Sequence, residues 1–235
     1  MAEQLANPTG DTAGVYVVIA AYNEASCIAE VAGEVRAAYP NVIVVDDGSS
    51  DDTFAAAQRG ARFVLRHVIN RGQGASLQTG IDFALSRGAK YIVTFDADGQ
   101  HRVEDIERLL APLLAGTADI ALGSRFLGRT TGMPASRRFV LKCAVLFTRL
   151  VNRMRLTDAH NGLRAFTRKA AGFVQIKADR MAHASEMIDF IRTSGLTYTE
   201  VPVEIRYTEY SLSKGQSSGN AFRIVFHYLM GRIFE

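Results

Sequence analysis

The chain has 235 residues, 48% of them hydrophobic and 22% charged, with 20 glycines and a mean hydropathy of +0.03. This ordinary globular composition excludes a disordered, collagenous or fibrous chain, and the length suffices to bury a core without disulfide or metal staples. The formal net charge of +3 conceals an asymmetry: residues 1–124 carry 9 basic and 16 acidic side chains, whereas residues 125–235 carry 18 and 8.

Residues 1–14, which include Asn7-Pro8-Thr9-Gly10, read as a flexible leader. Nothing before Val15 resembles a basic-then-apolar export signal, and the two cysteines, Cys27 and Cys143, lie far apart, so a cytoplasmic location is expected. Short runs rich in Val, Ile and Phe predict strands over 15–21, 42–45, 61–65, 91–95 and 119–122. The stretches between them predict helices over 25–38, 53–59, 74–87 and 103–115. Strict alternation of strand and helix, with strands apolar on both faces, predicts an α/β fold: a doubly wound, mostly parallel sheet with helices on both faces. The longest apolar runs, 109–115 and 139–148, are shorter than the ~20 residues that cross a bilayer, so no membrane span is expected.

In such a sheet the ligand crevice lies beyond the carboxyl ends of the strands. The residues there are Tyr22-Asn23-Glu24, then Asp46-Asp47-Gly48-Ser49-Ser50-Asp51-Asp52-Thr53, then Asp96-Ala97-Asp98-Gly99-Gln100-His101, then Gly123-Ser124-Arg125. Carboxylates converging on one rim repel one another unless a cation is bound, and oxygen ligands with a spare amide favour Mg²⁺ or Mn²⁺ over zinc. Asp96-Ala97-Asp98 could bridge such an ion to a diphosphate, or could be no more than an acidic turn before the helix at Val103. With Tyr22 beside a base and Glu24 accepting from a base N–H or ribose hydroxyl, the rim suits a nucleotide. Gly72-Gln73-Gly74 has two of the three glycines of a dinucleotide fingerprint and follows the third strand; it reads either as a lid or phosphate-side contact at Gly74, or as a plain turn.

Between Arg125 and Thr157 stand eight basic residues and no acidic one, so this half should face an anion. At helical spacing over 136–155, Arg138, Lys142, Arg149 and Arg153 fall on one arc, with Phe139, Val140, Cys143, Ala144 and Phe147 on the other side. That stripe is either a solvated face or a contact for a membrane surface or lipid phosphate. Residues 207–220 form a Gly- and Ser-rich loop containing Lys214, and 220–235 is apolar nearly all round, so it packs on its own core, lies in a membrane plane or docks a small membrane-protein partner. No nucleic-acid partner is expected.

Taken together, Ala21-Tyr22-Asn23-Glu24, Val45-Asp46-Asp47-Gly48-Ser49-x-Asp51-x-Thr53, Asn70-x-Gly72-x-Gly74-x-x-x-x-x-Gly80, Phe95-Asp96-Ala97-Asp98-Gly99-Gln100-His101, Gly123-Ser124-Arg125 and Thr157-Asp158-x-x-x-Gly162-Leu163-Arg164-Ala165-Phe166 resemble the family 2 glycosyltransferases of GT-A fold. Within that family the chain is most similar to dolichyl-phosphate and polyprenyl-phosphate sugar synthases such as the dolichyl-phosphate mannosyltransferases. The resemblance runs from about residue 15 to about residue 219. It implies a single GT-A domain with a donor half (15–124), an acceptor half (125–219) and an apolar C-terminal helix (220–235). It further implies an inverting, metal-dependent hexosyltransferase that moves a sugar from GDP-mannose or a UDP-sugar to a lipid phosphate, at the cytoplasmic face of the membrane without crossing it.

Carried over by position, Tyr22, Glu24, Asp47, Gly74 and Asp96 would hold the donor nucleotide, and Asp96, Asp98 and Gln100 the metal. Arg125, Arg137, Arg138, Arg164 and Lys214 would hold the acceptor phosphate. Asp98, Arg125 and Asp158 are the catalytic candidates. A phosphate acceptor needs no strong base; a sugar hydroxyl would, and Asp158 is then the candidate, unless it is a turn residue that fixes Arg164. Ala20, Gly99 and Ala159-His160-Asn161 depart from the family pattern and bear on donor and acceptor identity rather than on reaction class. Two rival readings are a nucleotide-sugar pyrophosphorylase, which would need a Gly-rich, Arg-containing loop after the first strand, and a non-catalytic nucleotide-sugar-binding subunit, which would have a broken metal site.

Overall fold

The computed structural model describes residues 12–152, 154, 156–158, 161–176 and 183–207. Lys214, Arg153, Arg155, His160, the first eleven residues and all of 208–235 lie outside the described residues. The elements follow in the order β1 (Val15–Ala21), α1 (Ile28–Ala38), β2 (Asn41–Asp46), α2 (Thr53–Gly60), β3 (Phe63–Arg66), α3 (Gln73–Ser86), β4 (Tyr91–Asp96), α4 (Glu104–Leu114), β5 (Ile120–Thr131), α5 (Ala135–Asn152), β6 (Arg164–Thr167), α6 (Arg168–Ala171), α7 (His183–Thr193) and β7 (Tyr198–Arg206).

These strands form a seven-stranded sheet in the order β3-β2-β1-β4-β6-β5-β7. Pairing is parallel for β1 with β2 and β4, for β2 with β3 and for β5 with β7, and antiparallel where β6 meets β4 and β5. The doubly wound, mostly parallel expectation therefore holds, with β6 as the reversed strand. Residue alternation along β1 shows why. Val15, Val17, Ile19 and Ala21 point into one core with α1, α2 and α4. Tyr16 and Val18 point into the other, with α3, α6 and α7. Both faces of a strand buried in this way demand apolar residues at every position, which is the pattern the sequence carries.

Boundaries shift where side chains, rather than periodicity, decide them. The first helix begins at Ile28 rather than at residue 25. Residues 24–27 are instead a turn whose first two N–H groups are claimed by residues 51–53: Glu24 N donates to Thr53 Oγ1 at 2.7 Å and Ala25 N to Asp51 Oδ2 at 3.2 Å, while Cys27 N closes the turn on Glu24 O. The fifth strand, expected to end at residue 122, continues to Thr131, so Gly123-Ser124-Arg125 lies within a strand and not after one. Pairing with β7, with a register shift between Ser124 and Arg129, supplies the hydrogen bonds that hold this polar extension.

On α5 the expected division of faces is corrected. Phe139 and Leu146 are 67% and 58% exposed, and Cys143 and Lys142 are exposed beside them, while Val145 is buried. Charged and apolar residues thus share its outward side.

Candidate functional site

The carboxyl ends of β1, β2 and β4 place three loops side by side, and hydrogen bonds lock them together. Asn23 adopts a positive φ of 55°, a conformation Asn tolerates better than most residues. Its N–H donates to Ser49 Oγ at 2.9 Å, and its Oδ1 accepts from Ser50 N at 2.9 Å. This anchoring leaves Tyr22, 47% exposed, presenting its ring at the rim. Glu24 Oε2 accepts from Cys27 Sγ at 3.2 Å, and that thiol also lies 3.2 Å from Ala97 O, so the first and fourth strand ends are tied.

Asp46 and Asp47 are both buried. Asp46 accepts from Ser49 N and pairs with Arg66 at 3.1 Å. Asp47 accepts from Arg71 N at 3.0 Å, Gly72 N at 2.6 Å and His67 Nδ1 at 2.8 Å, so its carboxylate shapes the 67–72 loop that leads into α3. Gly74 is buried in the first turn of α3.

Beyond β4, Asp96 Oδ2 is 2.8 Å from His101 Nε2 and Oδ1 accepts from Gln73 Nε2 at 3.2 Å. Burial pushes its pKa up, but the His101 hydrogen bond and the charges of His101, Arg164 and Arg125 outweigh this and hold it below the ordinary carboxylate value. Asp98 moves the other way, to about 6, first through burial and then through the negative charge of Asp96. Gln100 serves Asp98 twice, N to Oδ1 at 3.1 Å and Nε2 to Oδ2 at 2.8 Å. Gln100 O in turn accepts from Arg206 N at 3.0 Å, and His101 bridges to Ile205, which fixes this loop on β7.

Gly162 backs directly on this pair: a Cβ there would collide with both oxygens of Asp96. Gly99, at φ 71°, makes a left-handed turn between Asp98 and Gln100, a conformation that glycine adopts without strain.

The basic side is built differently from expectation. Arg125 is buried; its N and Nε donate to Asp158 Oδ2 at 3.1 and 2.5 Å, and Nη1 donates to Tyr207 Oη at 2.8 Å. Burial lowers the Arg125 pKa, but Asp158 and Tyr207 more than reverse this and leave it raised. Glu200 holds the other side of Asp158, accepting from Thr157 N and Asp158 N. Thus Asp158 fixes Arg125 through direct bonds, whereas Arg164, 5% exposed, feels the charges of both Asp96 and Asp158 and has its pKa lowered by burial. Arg137 places its guanidinium carbon 5.0 Å over the Tyr207 ring, and Arg138 is exposed on α5.

The structure therefore brings Tyr22, Glu24, Asp47, Asp96, Asp98 and Gln100 to one rim, and groups Arg125, Asp158 and Arg137 around Tyr207. Among the described residues no group of three His, Cys, Asp or Glu side chains is arranged as a ready metal cage. The donor set still suits a hard dication that brings its own phosphate ligands: two carboxylate oxygen donors, one of them raised to about 6 beside the other, together with an amide.

Sequence reasoning missed Gln73, His101, Glu200 and Tyr207 as site residues. His101 stands inside the Phe95–His101 motif, which is its sequence signal; Tyr207 opens the polar 207–220 stretch, yet it is buried at the end of β7.

With this geometry in hand, comparisons place the chain among known proteins. The family model "Glycosyl transferase family 2" matches residues 16–172. A UDP-N-acetylglucosamine–dolichyl-phosphate N-acetylglucosaminyltransferase of Methanococcus voltae is 31% identical over 238 residues, covering 92% of this chain and 95% of that protein. A polyprenol monophosphomannose synthase of Mycolicibacterium smegmatis is 33% identical over 218 residues, covering 88% and 82%. Among solved structures, glucosyl-3-phosphoglycerate synthase from Mycobacterium tuberculosis with Mn²⁺ and UDP-glucose shares the fold at a TM-score of 0.70 and 21% identity, covering 93% of this chain and 78% of that one.

Proposed function

The chain belongs to glycosyl transferase family 2, and from that premise we propose that it moves a sugar from a nucleoside-diphosphate sugar, GDP-mannose or a UDP-sugar, to a polyprenyl or dolichyl phosphate. Both curated relatives above carry names of that reaction class. The observation that carries the acceptor assignment is the buried Arg125–Asp158 pair. A saccharide hydroxyl would need a base, and Asp158, with a side chain 1% exposed, has its carboxylate bonded to Arg125. A phosphate monoester oxygen is already anionic near neutral pH and needs no base, only alignment and charge neutralisation.

In this reading Tyr22 and Glu24 receive base and ribose, and Asp47 shapes the loop beside them. Asp96, Asp98 and Gln100 would hold Mg²⁺ or Mn²⁺, which when bound neutralises charge on the departing diphosphate. His101 and Gln73 fix the orientation of Asp96. Arg137, stacked on Tyr207 and only partly buried, reaches for the acceptor phosphate, and Arg125, ion-paired with Asp158, holds the Tyr207 hydroxyl in place beneath it. Arg138, exposed on α5, extends that cationic surface; Lys214, outside the described residues, is kept as an acceptor-phosphate candidate from the sequence alone. Arg164 works from inside, offsetting the charge of Asp96 and Asp158. Direct displacement by the phosphate oxygen inverts the anomeric centre.

The same reading places the protein peripherally on the inner face of the cytoplasmic membrane. Among the described residues no helix is long and apolar enough to cross a membrane, and the outward side of α5 mixes Phe139 and Leu146 with Lys142. A small membrane-protein partner is the alternative support for that side.

The test is incubation of the purified protein with a panel of nucleotide sugars, Mn²⁺ and a short polyprenyl phosphate, following release of nucleoside diphosphate. Release that requires the polyprenyl phosphate is the expected result. Release driven by a saccharide and not by the lipid phosphate would overturn the acceptor assignment.

A further inference from the structure

At the end of β3, outside the residues that the proposed transfer employs, stands a histidine with two side-chain partners. His67 is 11% exposed. Its Nδ1 lies 2.8 Å from Asp47 Oδ1 and its Nε2 3.0 Å from Thr79 Oγ1 on α3. An ionised carboxylate can only accept, so Nδ1 carries a hydrogen, and in the neutral ring Nε2 accepts from the Thr79 hydroxyl. The backbone N–H of His67 also donates to Asp46 O at 2.9 Å. The ring thus links the end of β2, the end of β3 and the second turn of α3.

We propose that His67 is a positioning residue for the donor nucleotide, acting through Asp47. This rests on reading the β1–β2–β4 rim as the donor site. The Asp47 carboxylate accepts from His67, Arg71 N and Gly72 N, which occupies three of roughly four lone-pair directions and aims the fourth. The two N–H groups come from the loop that Asp47 organises, and His67 ties that carboxylate to α3, a rigid element. Without the ring the carboxylate and the 67–72 loop lose their fixed relation to the rim. The loop touches the rim directly, since the turn at Gly48 packs against the backbone of Ile69 and Asn70.

The test is calorimetric titration of the full chain with UDP and with GDP, each with Mn²⁺, for the wild type and for His67→Leu, His67→Asn and Thr79→Val, with thermal melting as a control. Asn keeps an N–H at the position of Nδ1 and loses the bond to Thr79. His67→Leu is expected to weaken the nucleotide that the wild type binds by about tenfold or more, because a hydrogen bond to a charged group is lost. His67→Asn is expected to recover affinity to within about threefold, on the same grounds. A purely structural role would lower melting temperature in both without this recovery.

Equal affinity in wild type and folded His67→Leu overturns the proposal and leaves the donor-site reading standing. An equal loss in His67→Asn and His67→Leu also overturns it, because the Asp47 bond would then be irrelevant. A wild type that binds neither nucleotide overturns the donor-site reading and this proposal with it. If His67→Leu does not fold, Thr79→Val decides: a loss of about threefold supports the linkage, and unchanged binding overturns it.

Discussion

Burial and the neighbouring Asp96 raise Asp98 to about 6, from an ordinary value of 3.8. A carboxyl with a raised folded-state pKa binds its proton more tightly when folded, so the stability penalty is absent below pH 3.8, grows up to about pH 6 and is complete above it. Asp98→Asn is therefore expected to stabilise the chelator-treated protein at pH 7.5, by about 1–3 kcal/mol, and to bring no gain near pH 4. Thermal melting at the two pH values measures this; an equal gain at both would show that charge is not the cause. The same variant should lose transfer by about a hundredfold or more if the pair holds a cation. Arg125 carries the opposite lesson. Removing it strands the buried Asp158 carboxylate, so Arg125→Ala should cost about 3–5 kcal/mol, and Arg125→Ala with Asp158→Ala should cost less than the single change. Denaturant unfolding of both variants tests the coupling. Arg137→Ala, by contrast, should spare stability and nucleotide affinity and weaken use of the lipid phosphate.

The reversed strand β6 joins the two halves of the sheet, and its approach through Gly162 packs against the carboxylate end of β4. Thr94 Oγ1 donates to Gly162 O at 2.7 Å, which draws the two backbones together. Gly162→Ala should push Asp96 aside, at a cost of about 1–3 kcal/mol, and should weaken Mn²⁺-dependent nucleotide binding, read by titration beside a melting curve; binding unchanged in the variant would mean that Asp96 can move freely. The first four strands were legible because each is apolar on both faces and bounded by a polar turn. β6 carries no strand signature, because only Ala165 and Phe166 are apolar in a four-residue element. β7 alternates, burying Val201, Val203 and Ile205. Pro202 between them is tolerated because β7 is an edge strand. The rim residues were legible from their place after strands. Tyr207 and Glu200 were not, since long-range pairing such as Arg125 with Tyr207, 82 residues apart, leaves no local signature; His101 stands within a motif, five residues from Asp96, and is legible there.

Under the proposed function the acidic rim would serve the donor and the basic surface the acceptor, and the basic part includes a helix with apolar side chains facing outward. Arg138, Lys142 and Arg149 are exposed on α5 together with Phe139, Cys143 and Leu146. Each basic residue near an anionic bilayer contributes about 1 kcal/mol, screened within a Debye length, and each apolar side chain adds burial that salt does not screen. Sedimentation with anionic liposomes should therefore retain the protein at low salt and lose most of it at high salt. Replacing Phe139 and Leu146 by Glu should abolish retention even at low salt while leaving the melting temperature within about 2 °C, because both side chains are already in water. Retention by neutral liposomes equal to that by anionic ones would remove the electrostatic part. If neither liposomes nor a membrane-protein partner holds the wild type at low salt, a lipid phosphate loses its physical route to the site. A water-soluble acceptor that needs no base, and so carries its own anionic oxygen, would then fit the buried Arg125–Asp158 pair better than a saccharide hydroxyl would.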